Sequence, residues 1–313
     1  MSRAFVFPGQ GAQAVGMGAA LAAAFPVARE VFEEVDDALS QKLSRIIFEG
    51  PDSDLTLTEN AQPALLAVSL AVVRVLEREA GMKVAETARF VAGHSLGEYS
   101  ALAAAGALSL ADAAQLLKRR GRAMQEAVPV GVGAMAALLG LDLEAAVEIA
   151  AEAAEDEVCA PANDNAPGQV VVSGHKAAVE RAVELAAARG ARRAVMLSVS
   201  APFHCPLMAP AADAMAEALA ETEIRPPRVP LIANVTAEAV ADPDSLRSLL
   251  VQQVTGLVRW RESVLYMKDQ GVENLVELGA GKVLTGLTRR IDRDLQALAV
   301  GTPEDLETFV AGR

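Results

Sequence analysis

The sequence predicts an α/β protein in which a compact subdomain is inserted into a larger domain built on a parallel sheet. Three observations predict it. Short apolar runs such as Ala4–Phe7, Ala88–Ala92 and Asn274–Leu278 alternate with longer stretches of helical periodicity. One of these runs leads directly into Gly93-His94-Ser95-Leu96-Gly97, after which a helix begins. Between Ala134 and Ser200 the elements follow the order strand, helix, strand, strand, helix, strand.

Ala4–Phe7 is the expected first strand, and Pro8-Gly9-Gln10-Gly11-Ala12-Gln13 the loop after it. Gly9, Gly11 and Gly16 do not make a dinucleotide fingerprint, because the third glycine falls five residues after the second rather than three. Helices are expected from about Met17 and over Val27–Leu39. A stronger helix runs over Thr58–Glu79, with Pro63 in its first turn and apolar residues on a face broad enough for deep burial. The strand Ala88–Ala92, a helix over Glu98–Ala105 and a second over Leu110–Glu126 follow.

Gly131 and Gly133 mark a change of organisation. Ala134–Leu139, Val158–Ala162, Gln169–Ser173 and Arg193–Ser200 read as strands, and Asp142–Glu155 and Lys176–Ala188 as helices. That order is the split βαβ, or ferredoxin-like, arrangement. The expected division is therefore 129–200 as the small subdomain, with 1–128 and 201–313 as the large one. Beyond it come a Pro-bounded loop around His204 and a helix over Ala211–Glu221. A strand over Val229–Asn234 and helices around Ser245–Val254 and Val264–Asp269 follow. The strand Asn274–Leu278, a helix from Val283 and a strand near Ala297–Val300 complete the reading.

Composition excludes several functions. The net charge of −13 and an aromatic content of 4% provide neither phosphate neutralisation nor a base-stacking platform, so no nucleic-acid partner is expected. The longest apolar stretches carry charges or glycines, so no membrane span is expected. The apolar run at the start is too short for a signal peptide. Two cysteines, Cys159 and Cys205, give neither a disulfide framework nor metal spacing, which fits a reducing cytoplasm.

A serine between a strand and a helix, flanked by glycines, is lifted out of the backbone surface, and the helix N-terminus favours negative charge beside it. Ser95 is thus a candidate nucleophile for acyl transfer or for an esterase or thioesterase. It needs a base. His94 is its sequence neighbour but points elsewhere on such a bend, and His175 opens a helix in the small subdomain. His204, held between Pro202 and Pro206, is the candidate. In an α/β-hydrolase the histidine comes late in the chain, whereas 109 residues follow His204. Asp213 and Asp242 lie after it. The orienting group is one of these, a backbone carbonyl or an amide, with Asn234 and the loop near Trp260 as candidates.

Seven motifs carry a resemblance. They are Pro8-Gly9-Gln10-Gly11, the run from Gly93 to Ala101, Arg120-Gly121, Gly133-Ala134-Met135, Pro167-Gly168-Gln169, Ser200–His204 and the run from Gly279 to Leu284. In this order the chain resembles the malonyl-CoA:acyl carrier protein transacylases of type II fatty acid synthesis. The resemblance implies a hydrolase-like large domain with an inserted ferredoxin-like one, in agreement with the order of elements. It implies Ser95 as the residue esterified by malonate, His204 as base and then acid, and the backbone N–H groups of Gln10 and Leu96 as the oxyanion hole. Arg120 is implied as the binder of the malonyl carboxylate, and Phe203 as the bulky residue that leaves no room for an α-methyl group. Gln62, His94 and Asn163 join the substrate-binding set. Arg259 departs from the family's usual glutamine at the position whose backbone carbonyl orients the histidine. No cofactor and no metal are implied. The partners implied are malonyl-CoA and holo-acyl carrier protein, which being acidic would meet a locally basic face on a monomeric enzyme.

Overall fold

The computed structural model describes residues 2–312. Among these residues ten strands fall into two sheets: β1 (Arg3–Phe7), β2 (Phe90–Gly93), β3 (Gly133–Leu139), β4 (Cys159–Ala166), β5 (Gln169–His175), β6 (Arg193–Met196), β7 (Leu231–Ile232), β8 (Ala239–Val240), β9 (Asn274–Leu278) and β10 (Gln296–Val300). The first sheet has the order β10-β9-β1-β2-β7-β8, parallel throughout except for β8 at its edge, which runs antiparallel to β7. The second has the order β4-β5-β3-β6 and is antiparallel throughout.

Side chains alternate across a strand, so β1 feeds two layers. Phe5 and Phe7 join the core under the helix Thr58–Glu79, whereas Ala4 and Val6 pack with Trp260 and Val264 on the opposite face. Burial on both faces explains why these strands read as continuous apolar runs. The second sheet is covered likewise. Leu138, Val170 and Val172 pack on the helices Leu143–Ala154 and Lys176–Ala188, while Met135 and Val171 face the main core.

The helix Thr58–Glu79 is long and apolar enough to cross a membrane, but it lies inside the core, in contact with the helices Pro26–Leu39 and Leu110–Glu126. Pro63 stands in its second turn, not its first, because the helix begins at Thr58.

Several boundaries differ from expectation. Arg193–Ser200 is a strand only to Met196, and Leu197, Ser198 and Val199 leave the sheet to line a cavity. Val229–Asn234 shortens to Leu231–Ile232, because the Asn234 side chain turns to hold the neighbouring bend. The strand expected at Val158–Ala162 runs from Cys159 to Ala166 and absorbs two register shifts. β10 does not close the chain. A helix over Pro303–Ala311 follows it, started by a reciprocal cap between Thr302 and Asp305. Short helices at Leu43–Glu49, Asp52–Thr56 and Val84–Thr87 were not expected.

Candidate active site

Ser95 sits between the end of β2 and the helix Gly97–Ala104, with φ of 52°. That left-handed backbone throws its side chain outward. The bend closes only because of its glycines. A Cβ on Gly93 would lie 1.9 Å from the carbonyl carbon of Gly97, and one on Gly97 would lie 2.3 Å from the Phe7 oxygen. Asn234, fully buried, clamps the turn. Its Oδ1 accepts from the Ser95 N–H at 2.8 Å and its Nδ2 donates to the Gly93 carbonyl at 2.7 Å.

His204 reaches Ser95 from the loop after the second sheet. It also has a left-handed backbone, with φ of 58°, and it is buried. Its Nε2 lies 2.8 Å from Ser95 Oγ, and its Nδ1 lies 2.9 Å from the main-chain oxygen of Gln253. A carbonyl can only accept, so Nδ1 carries the proton and Nε2 presents a lone pair to the serine hydroxyl. Burial, and then the nearby Arg120 charge, push the imidazole down to about 3. The ring is therefore neutral at neutral pH, as a base must be.

The orienter expected at residue 259 is thus corrected to Gln253, in the helix Pro243–Thr255. The Arg259 carbonyl is occupied by Ser263, whose N–H and hydroxyl both donate to it, and the Arg259 side chain pairs with Glu262. Asn234 touches the serine turn rather than the histidine. Asp242 caps the Pro243–Thr255 helix through Ser245, and Asp213 is exposed.

Arg120 comes from the middle of the helix Leu110–Glu126 and is 1% exposed. One guanidinium nitrogen donates to Gln62 Oε1 at 2.9 Å. The other donates to Gln253 Oε1 at 2.8 Å and to Ser95 Oγ at 3.1 Å, while Nε has no partner. The charge is held by neutral amide oxygens, and among the described residues no carboxylate is bonded to it. A buried cation so placed has no directly bonded counter-ion beside a nucleophilic hydroxyl, and the buried Glu98 reaches it only through Gln253.

A cavity of about 320 Å³ opens over this group. All nine residues expected at the site line it. Ser95, Leu96, Gln10, Gln62, Arg120, Asn163, Phe203, His204 and His94 all contribute to its lining. His94 is turned away from the serine hydroxyl, with Nε2 2.8 Å from Asn165 Oδ1 and its ring tilted against Trp260. Gln253, Glu98 and Asn165 were missed. Glu98 is 2% exposed; burial raises the pKa of its carboxyl, the Asn234 N–H, the Gln253 amide and the Arg120 charge oppose that rise, and both of its oxygens accept from N–H donors. Its place just after the bend was the one available signal.

Comparison with known proteins gives the same picture. The acyl transferase domain family matches residues 4–299. The malonyl CoA-acyl carrier protein transacylase of Escherichia coli (strain K12) is 50% identical over 300 residues, covering 96% of each chain. The crystal structure of acyl-carrier-protein-S-malonyltransferase from Bartonella henselae has a TM-score of 0.97 and 59% identity, covering 100% of this chain and 99% of that one. A malonyl-transacylase solved in complex with its type II PKS acyl-carrier protein has a TM-score of 0.97 and 44% identity, with 100% of both chains covered.

Proposed function

The chain belongs to the acyl transferase family, among the malonyl CoA-acyl carrier protein transacylases, and from that premise we propose that it moves malonate from malonyl-CoA to holo-acyl carrier protein through a Ser95 ester. Ser95 Oγ attacks the thioester carbonyl as His204 Nε2 takes its proton. The tetrahedral oxyanion is met by the N–H groups of Gln10 and Leu96. Its collapse breaks the C–S bond, and the imidazolium returns the proton to the departing CoA sulfur. In the second half the phosphopantetheine thiol gives its proton to Nε2 and attacks the ester carbonyl. Ser95 leaves as the hydroxyl, reprotonated by His204. Side chains and substrates account for every proton and bond in this scheme.

Arg120 holds the malonyl carboxylate with paired hydrogen bonds, and that carboxylate becomes its directly bonded counter-ion. An acetyl group would leave the guanidinium buried and unpaired, so the charge selects as well as binds. Phe203 restricts the space beside the α-carbon. Gln62 aligns the guanidinium, and His94 and Asn163 complete the wall around the acyl chain. Residues 129–200 act as a ferredoxin-like subdomain inserted in a hydrolase-like domain of 1–128 and 201–313, an assignment supported by the order and pairing of β3 to β6. A monomeric cytoplasmic enzyme that docks its acidic carrier on a basic surface completes the reading.

The observation that carries the proposal is one serine oxygen lying 2.8 Å from an imidazole and 3.1 Å from a buried guanidinium that is bonded to no carboxylate among the described residues. The test is intact-mass analysis after incubation with malonyl-CoA. The wild type should gain one malonyl group on Ser95, and Ser95→Ala none, with transfer activity down by about 10⁴-fold or more. An adduct on the variant would refute the assignment. Rapid loss of the adduct to water in the presence of holo-carrier protein would favour a thioesterase instead.

A further inference from the structure

We propose that Glu98 is a positioning residue for this reaction, whose carboxyl group fixes the Gln253 amide and the Asn234 main chain and so sets Arg120 and Ser95 in register. The inference rests on malonyl transfer at Ser95 as described above. Glu98 itself touches no reacting atom. Its Oε1 accepts from the Asn234 N–H at 2.6 Å, and its Oε2 accepts from Gln253 Nε2.

What Gln253 does makes that bond matter. It is fully buried, and every polar atom of its side chain is committed. Oε1 accepts from Arg120, and Nε2 donates to both the Ser95 carbonyl at 2.9 Å and Glu98. Its main-chain oxygen holds His204. The orientation of the amide is forced. A guanidinium offers only donors, so the oxygen must face Arg120 and the nitrogen must face Glu98. Without an acceptor at Glu98, one buried N–H would be unsatisfied, and only the Ser95 carbonyl on that side would oppose a flip of the amide. A flipped amide would turn its NH₂ group toward the guanidinium. Asn234 adds a second arm, since the residue whose N–H Glu98 accepts is the one that clamps the Ser95 N–H and the Gly93 carbonyl.

The decisive variant is Glu98→Gln, which keeps volume and shape. One of its two terminal atoms becomes a donor, and both places available to that donor already face an N–H. A side chain that only fills space would tolerate the change. A positioning role predicts that discrimination between malonyl-CoA and acetyl-CoA, measured as the ratio of their kcat/KM values, falls by about ten- to a hundredfold. Most of the change should be a higher KM for malonyl-CoA. General loosening of the fold would lower both substrates alike and leave the ratio unmoved. The effect on this ratio should vanish when the substitution is made in a Gln253→Ala background, because the side chain through which Glu98 reaches Arg120 is then gone, leaving only the Asn234 arm to the serine turn. An unchanged ratio, or effects of the two substitutions that simply multiply, would overturn the proposal.

Should Glu98→Gln not fold, the wild-type protein still decides. In a ¹⁵N spectrum the Gln253 side-chain amide, identified as the pair lost in Gln253→Ala, should have downfield, slowly exchanging protons. Protons exchanging as freely as those of an exposed glutamine would overturn the proposal. Wild-type labelling of Ser95 by malonyl-CoA runs alongside as the control. Failure of that labelling defeats the transfer reading, whereas its success with an unaltered Glu98→Gln ratio defeats only the role of Glu98.

Discussion

Replacing Arg120 by alanine removes the charge on which substrate choice depends, and its effect can be worked from the geometry. The guanidinium is 1% exposed and already oriented by Gln62 and Gln253, so a carboxylate entering the cavity meets donors that need no rearrangement. Charge-assisted hydrogen bonds in such a setting contribute about 1.5–3 kcal/mol each. Losing two of them costs about 3–6 kcal/mol, or roughly 10²–10⁴ in kcat/KM for malonyl-CoA. Acetyl-CoA has no carboxylate to lose and escapes a buried unpaired cation, so its kcat/KM should hold or rise. The ratio between the substrates should therefore collapse by the full factor. Competitive labelling of Ser95 with an equimolar mixture, read by intact mass at short times, measures that ratio directly. A ratio within about threefold of wild type would show that Arg120 does not bind the acyl carboxylate, a change of less than 1 kcal/mol.

Two further outcomes follow from the same geometry. With His204 pushed down to about 3, the imidazole is neutral from mildly acidic pH upward, so kcat/KM for malonyl-CoA should show no histidine limb near pH 6.5. Since Arg120 contributes to that depression, pairing it with the malonyl carboxylate lifts the pKa, and the transfer half-reaction should lose its base at a higher pH than the acylation half. An inflection near 6.5 in the acylation profile would contradict the buried neutral ring. Gly97→Ala would place a Cβ 2.3 Å from the Phe7 oxygen and should cost about 1–3 kcal/mol in urea unfolding while slowing acylation. An unchanged midpoint would show that the backbones do not approach so closely.

How much of this was legible depended on how local each signal was. Ser95 was readable because its strand, glycines and helix lie within one short stretch. His204 was readable because two prolines fix its loop. Arg120 was not legible from its surroundings, since Lys118-Arg119-Arg120 resembles any basic helix face, and only the resemblance distinguished it. The orienter of His204 escaped because it is a main-chain oxygen, which every residue possesses and no side chain announces. Residue 259 was chosen for its neighbour Trp260, whereas the working carbonyl belongs to Gln253, on the preceding helix. Glu98 escaped because a carboxylate in the first turn of a helix is ordinarily a solvated cap. Its burial exists only once β2, the Asn234 loop and the Pro243–Thr255 helix have come together. The helix Pro303–Ala311 was within reach, because Thr302, Pro303 and Asp305 spell a helix start.

Both reacting side chains hang from backbone that L-residues other than glycine avoid, at a cost of about 1–2 kcal/mol apiece. Backbone conformation alone would thus favour glycine at 95 and at 204, and the side chains are kept against it by the chemistry and, at His204, by the bond to Gln253. In a duplicated gene copy released from acyl transfer, the backbone strain at these two codons would no longer be held in place by the reaction. Glycine at both would mark a descendant that kept the architecture and abandoned the reaction.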